Sequence, residues 1–184
     1  MRIIAGKARG TRIAAPEGRD TRPTLDRVRE NLFNILQLRV ADSRILDLFA
    51  GSGALGLEAV SRGAESAVLA DRSSKARQTI EANIARLHFA EQTRILAGDW
   101  QDAVRVLETE GAAFDLIFLD PPYAMRDLRP VFSALIPLMA PGAWVILEHE
   151  AKAKDILTDL RFRVVRERSW GDCGVTIYEW GEGA

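Results

Sequence analysis

From Ser43 onward the chain alternates short, mainly apolar runs with amphipathic stretches. The runs fall at residues 45–49, 67–70, 94–97, 114–119 and 144–147, and the stretches at about 55–62, 73–88, 100–110 and 127–139. A strand that is apolar without interruption is buried on both faces, and the helix between each pair supplies the cover. The pattern therefore predicts a mostly parallel sheet with helices on both faces. The tail changes period: residues 162–168 and 175–180 alternate, joined by Gly171-Asp172-Cys173-Gly174 in the manner of a hairpin. The expected fold is α/β and Rossmann-like, with seven strands, of which the last is antiparallel.

The N-terminal segment reads differently. Arg2-Ile3-Ile4-Ala5 and Thr11-Arg12-Ile13-Ala14 flank a Gly6/Gly10 stretch, and Pro16 with Gly18 closes the unit. This predicts a small β-hairpin over residues 1–20, an extension of a domain spanning 21–184. A helix is expected from Thr24, with Pro23 before it, Thr24 as cap, Leu25, Val28, Leu32, Ile35 and Leu36 on one face, and Arg27, Glu30 and Asn34 opposite. Residues 1–44 hold ten basic side chains, nine of them Arg, against five acidic ones, a net charge of +5 that leaves −6 for the rest. A basic arm on an acidic body points to a polyanionic partner, and arginine suits bidentate phosphate contacts. A solvated arginine-rich surface accounts for the charge equally well.

Composition excludes other classes. With 47% hydrophobic and 28% charged residues in 184 positions, the chain can bury a sizeable core. No run approaches a membrane span, and the N-terminus lacks a signal-peptide apolar segment. Cys173 is the only cysteine, which excludes an intramolecular disulfide and a cysteine-rich metal site. The expectation is a cytoplasmic protein without bound metal.

The chemistry gathers where runs end. Asp47-Leu-Phe-Ala-Gly51-Ser-Gly53-Ala-Leu-Gly56 follows the first run and opens a helix, matching G-x-G-x-x-G. Such glycines admit a nucleoside close to the backbone, and the helix N-terminus offers N–H donors. NAD-binding proteins share that pattern, but a carboxylate at Asp47 would oppose a pyrophosphate and suit a cationic ammonium group. Its plainer role would be to cap the following turn. Asp71 ends the second run, where an acid accepts from the ribose hydroxyls of NAD or of a nucleoside bearing such an ammonium group. In Gly98-Asp99-Trp100, Asp99 is placed to bond an adenine amine and Trp100 to flank the ring or simply to pack. Asp120-Pro121-Pro122-Tyr123 ends the fourth run. Two prolines stiffen the turn and remove two donors, so an Asp carboxylate and a proline carbonyl can accept together from one exocyclic NH2, with Tyr123 stacked on its ring.

This set resembles the S-adenosylmethionine-dependent amino-methyltransferases: DLFAGSG, then an acid on strand two, GD on strand three and DPPY on strand four. MRIIAGKARGTRIAAP followed by Thr21-Arg22-Pro23-Thr24-Leu-Asp-Arg27-Val-Arg29-Glu30-Asn-Leu-Phe33 is similar, more narrowly, to the RsmD family of ribosomal small-subunit RNA guanine-N2 methyltransferases. The likeness runs from Met1 to the tail, although relatives often carry Glu where Asp71 stands. It implies S-adenosylmethionine held by Asp47, Phe49, Gly51, Gly53, Asp71, Arg72, Asp99 and Trp100. Catalysis would come from Asp120, Pro121, Pro122 and Tyr123. Arg2, Lys7, Arg9, Arg12, Arg22 and Arg27 would hold 16S rRNA, in the small ribosomal subunit or an assembly intermediate.

Rival readings are a DNA adenine-N6 methyltransferase, for which no segment is large enough to recognise a target, and a protein glutamine methyltransferase, which has little need of an arginine-rich arm. A non-catalytic RNA-binding assembly module would not need Asp47, Asp71 and Asp120 intact. An NAD-binding protein is disfavoured by Asp47 and DPPY. Elsewhere, Glu148-His149-Glu150 resembles a metal cluster, but adjacent strand residues face opposite ways. His88 reads as a helix-end residue, and Cys173 as inert.

Overall fold

The computed structural model describes residues 1–15, 23–122, 124–152 and 162–181. The expected Pro16/Gly18 closure, Arg22, Tyr123 and the side chains of Thr24 and Leu25 lie outside the described residues. Elements run in the order α1 (Pro23–Val40), β1 (Arg44–Asp47), α2 (Ala54–Ser61), β2 (Ser66–Asp71), α3 (Ser74–Leu87), β3 (Thr93–Ala97), α4 (Trp100–Thr109), β4 (Phe114–Leu119), α5 (Arg129–Leu135), β5 (Met139–Glu150), β6 (Phe162–Trp170) and β7 (Cys173–Trp180).

The seven strands form one sheet in the order β3-β2-β1-β4-β5-β7-β6. β1 to β5 pair in parallel, whereas β7 runs antiparallel to both β5 and β6. Strand alternation divides the core into two layers. Ile45, Leu69, Leu116, Phe118, Ile146 and Ile177 join α1, α2 and α3 in one. Leu46, Ile117, Leu119, Val145 and Leu147 join α4 and α5 in the other. The expected architecture is what forms.

Three local readings shift. The helix expected at 127–139 stops at Leu135: Pro137 has no N–H to continue the ladder, so Ile136–Leu138 tighten into a 3-10 turn and Met139 opens β5. On α1 the buried stripe runs Val28, Arg29, Leu32, Phe33, Leu36 and Val40. Phe33, absent from the expected face, is fully buried with its ring centroid 5.8 Å from that of Phe118. Pro23 is the first residue of the helix and does not precede it, a position where a missing N–H costs nothing.

Among its described residues the N-terminal arm keeps one antiparallel bridge, Arg2 with Arg12, and many of its backbone bonds go to α2 and α3 instead. Ile3 and Ile13 are buried in the same core layer as Phe33 and Leu57. Glu58, a lone acid in an apolar helix, is wholly buried. Its carboxylate accepts from Ile4 N (2.7 Å), Ala5 N (3.0 Å) and Arg62 Nε (2.7 Å), with Arg29 Nε 3.7 Å away. Arg29, counted among the arm's cations, is therefore an internal counter-ion. It also donates to Asp26 and to the Arg2 carbonyl.

At the arm's first turn, Lys7 N donates to the Ser61 carbonyl (2.8 Å) and Ser61 Oγ to the Ala5 carbonyl (2.6 Å). Gly6 adopts φ 81° there, and a Cβ on it would sit 1.8 Å from the Ser61 oxygen; Gly10, at φ 83°, faces open space. Gly6→Ala must displace the arm from α2 as well as strain its backbone, so it is expected to cost at least ~2–3 kcal/mol, against ~1 kcal/mol for Gly10→Ala. Denaturant midpoints measured on both variants check the difference.

Candidate active site

The sheet changes direction between β1 and β4: crossovers from β1 lead through α2 to one edge, and those from β4 lead through α5 to the other. This switch point, at the carboxyl ends of the strands, is the usual ligand position in open α/β sheets. The four acids singled out in the sequence end neighbouring strands, and their spatial order is Asp99, Asp71, Asp47, Asp120. At ~4.8 Å per strand the row spans about 14 Å, a length suited to an extended nucleoside bearing an amino-acid tail.

Asp47, at the end of β1, is 2% exposed, and its Oδ2 accepts from Gly56 N in the first turn of α2 (3.0 Å). The plain capping role is thus present. It does not account for the charge, because burial, helped by Asp120 and Asp71, pushes the Asp47 carboxyl up to about 7. Asp71 accepts from Gly51 N through Oδ2 (2.9 Å) and from Ser73 N through Oδ1 (2.8 Å), fixing the loop against the start of α3. Gly51 and Gly53 take φ 57° and 76°, the left-handed conformation that turns the chain from β1 into α2. A Cβ on Gly56 would meet Leu69 at 3.0 Å and the Asp47 carboxylate at 3.4 Å, so the third glycine admits the acid.

Asp99 caps α4, accepting from Asp102 N at 3.0 Å. Phe49 and Trp100 are half-buried against the core layer of α4 and α5, and Arg72 is exposed with its carbonyl accepting from Arg77 (2.9 Å). Pro121 is buried. The Pro122 carbonyl accepts from Met125 N at 2.8 Å, which closes the turn after β4. Beyond Asp120, on the same face of the sheet, Cys173 Sγ donates to Glu148 Oε1 at 3.4 Å. Burial, Glu148 and Asp120 together push that thiol up to about 12, which keeps it protonated and inert. His149 points to the opposite face, 2.9 Å from Thr176 Oγ1. Among the described residues no cluster of three or more His, Cys, Asp or Glu could hold a metal ion, and no helix is long and apolar enough to cross a membrane.

The fit to a cofactor follows from this donor set. The row is lined by glycine backbone and carboxylates, and burial together with the charges of Asp120 and Asp71 raises Asp47 towards neutrality. A ligand bearing ammonium and sulfonium charges would restore the carboxylate; a pyrophosphate would not. The basic arm lies over α2 and α3. Arg9, Arg12 and Arg27 are exposed, and Arg2 is 4.0 Å from Asp26. Lys7 reaches Gln92 (2.8 Å) and covers the Phe89 ring.

Two buried polar residues of the site's frame escaped the sequence reading, Glu58 and Asn83. Each left a signal: an acid inside the apolar ALGLEAVS stretch, and a carboxamide inside the Ile80, Ile84 and Leu87 stripe of α3.

The family described as Conserved hypothetical protein 95 matches residues 1–179. Ribosomal RNA small subunit methyltransferase D of Escherichia coli is 38% identical over 181 residues, 97% of this chain and 89% of that one. YlbH of Bacillus subtilis is 34% identical over 97% of this chain and 98% of its own length. The solved structure of Escherichia coli yhhF superposes with a TM-score of 0.82 at 34% identity, covering 98% of this chain and 97% of that one.

Proposed function

The chain belongs to the RsmD family, and from that premise we propose that it transfers a methyl group from S-adenosylmethionine to the exocyclic N2 of one guanine in 16S rRNA, presented in the small ribosomal subunit or an assembling particle. The observation that carries this reading is the row of Asp71, Asp47 and Asp120 at the point where the sheet changes direction, with the central Asp47 buried and its carboxyl pushed up to about 7. Residues 1–20 form the RNA-holding extension of a methyltransferase domain spanning 21–184.

S-adenosylmethionine supplies an electrophilic methyl group. The chain's own residues do the rest. Asp47 faces the ammonium end, Gly51 and Gly53 let the ligand approach the backbone, and Asp71 accepts from ribose hydroxyls with the lone pairs its two backbone bonds leave. Phe49, Arg72, Asp99 and Trp100 border the nucleoside. The guanine amine is a poor nucleophile because its lone pair is delocalised into the ring. By accepting from its two N–H groups, the Asp120 carboxylate and the Pro121 carbonyl favour a pyramidal nitrogen and stabilise the positive charge it acquires. The methylated nitrogen is acidic and releases its proton to water, so no strong base is needed. Pro122 stiffens the turn and Tyr123 stacks on the extruded base, whose removal from a helix costs a few kcal/mol and least from an unpaired loop.

Arg2, Lys7, Arg9, Arg12, Arg22 and Arg27 grip flanking phosphates. Replacing Arg9 and Arg12 together with Ala is expected to reduce the slope of log affinity against log salt by about one to two, with S-adenosylhomocysteine binding unchanged. Filter binding to 16S rRNA across a salt series checks it.

The deciding test offers radiolabelled S-adenosylmethionine with 30S subunits, naked 16S rRNA and DNA, followed by nucleoside analysis. Labelled N2-methylguanosine from either ribosomal substrate is the expected product. Label in DNA adenine, or in no nucleic acid, overturns the assignment.

A further inference from the structure

Asn83 is 1% exposed on the buried side of α3, and its carboxamide makes three bonds that join two separate parts of the molecule. Oδ1 accepts from Ala14 N (2.8 Å), Nδ2 donates to the Ala14 carbonyl (3.0 Å), and Nδ2 donates again to the Ser52 carbonyl (2.9 Å). Ala14 belongs to the basic arm. Ser52 lies between Gly51 and Gly53 in the loop between β1 and α2. One planar group thus holds the end of the arm and the middle of the glycine loop at once.

The neighbouring contacts make this junction a unit. Ser52 Oγ donates to Met1 Sδ (3.6 Å), and Arg86, one turn beyond Asn83 on α3, donates to the Arg12 carbonyl (3.2 Å). At the other side of the loop, Gly51 N is held by Asp71, which also binds the first residues before α3. The loop is therefore clasped between Asp71 and Asn83, both fixed to α3, and the arm is fixed to the same helix. The loop and Ala14 are thus joined through one planar amide, with the Ser52–Met1 contact beside it.

We propose that Asn83 is a positioning residue that couples occupancy of the glycine loop to RNA binding by the arm, so that each ligand strengthens the other. This rests on the reading above, in which the loop takes S-adenosylmethionine and the arm takes rRNA. Coupling between two binding sites is reciprocal, so it can be read from either side. A merely structural Asn83 would weaken both ligands or lower the melting temperature. It would leave the ratio of affinities untouched.

The test measures the affinity of the full chain for unmodified 16S rRNA transcript, at one fixed salt concentration, with and without saturating S-adenosylhomocysteine. The wild-type protein should bind RNA about tenfold more tightly with the cofactor product present, within the usual range for coupled sites. In Asn83→Leu the ratio should fall to within about twofold of one. A ratio retained in Asn83→Leu, or a wild-type ratio of one when both ligands bind, overturns the coupling and leaves the functional assignment standing. Wild-type protein that binds neither ligand overturns the assignment itself. Should Asn83→Leu not fold, amide hydrogen exchange on the wild-type chain decides. S-adenosylhomocysteine should slow exchange at Ile3, Gly10, Ile13 and Ala14 several-fold, and unchanged rates at those four overturn the proposal.

Discussion

Asp120→Ala should lower methyl transfer by at least about a hundredfold while S-adenosylhomocysteine affinity stays within a few-fold of wild type. The asymmetry follows from place. Asp120 stands on the far side of Asp47 from Asp71, at the end of β4, beyond the residues that line a nucleoside. In the proposed mechanism its carboxylate accepts from the amine and binds it more strongly as positive charge develops on nitrogen, and deleting one such group typically costs ~100–1,000-fold in turnover. Asp120→Asn keeps an acceptor oxygen but loses the charge, and should recover part of the loss. Single-turnover methyl transfer, measured beside calorimetric titration of the cofactor product, separates the two effects. A variant that transfers methyl at near wild-type rate would remove Asp120 from the chemistry.

The second large effect runs in opposite directions for stability and binding. Burial holds the Asp47 carboxyl at about 7, against 3.8 for the ordinary group. Between those values the native state keeps a proton that the unfolded chain has released, so raising the pH favours unfolding across that window. The displacement corresponds to about 4 kcal/mol lost by pH 8 in the unliganded protein. Asp47→Asn carries no such charge and still offers an oxygen to Gly56 N. It should therefore be the more stable protein at pH 8, by up to about 4 kcal/mol, and match wild type near pH 4. Its affinity for S-adenosylhomocysteine should drop by at least about tenfold and lose its dependence on pH. Wild-type affinity should climb with pH and level off above 7 as the carboxylate forms. Thermal melts and titrations at pH 5, 6, 7 and 8 check both halves.

The sheet was legible because its central strands β1 and β4 are buried on both faces and its helices are punctuated. Apolar runs such as Leu116–Leu119 belong to buried strands, and the acids at the run ends fall on one edge by topology alone. What escaped the sequence was decided by partners distant along the chain. Arg29 counts as a surface cation until Glu58 and Asp26 close around it. Glu58 looks misplaced in α2 until the Ile4 and Ala5 amides arrive. The arm reads as a hairpin from its two alternating segments, yet many of its hydrogen bonds run to helices more than fifty residues away. The extent of α5 was misjudged for a local reason, since Pro137 stops the helical ladder in a stretch whose apolar pattern continues.

Those long separations also set an order of events during synthesis. Ile4 meets its acceptor on Glu58 only after 54 more residues have been added, and Ala14 waits 69 for Asn83. At a translation rate of about 5–20 residues per second the arm is exposed for roughly 3–14 s before either anchor exists. During that interval Ile3 and Ile13 face water, flanked by Arg2, Lys7, Arg9 and Arg12, whose mutual repulsion opposes premature association with other nascent chains. The same cations that would later grip phosphate thus act first as a solubilising sheath for the arm that still lacks its anchors.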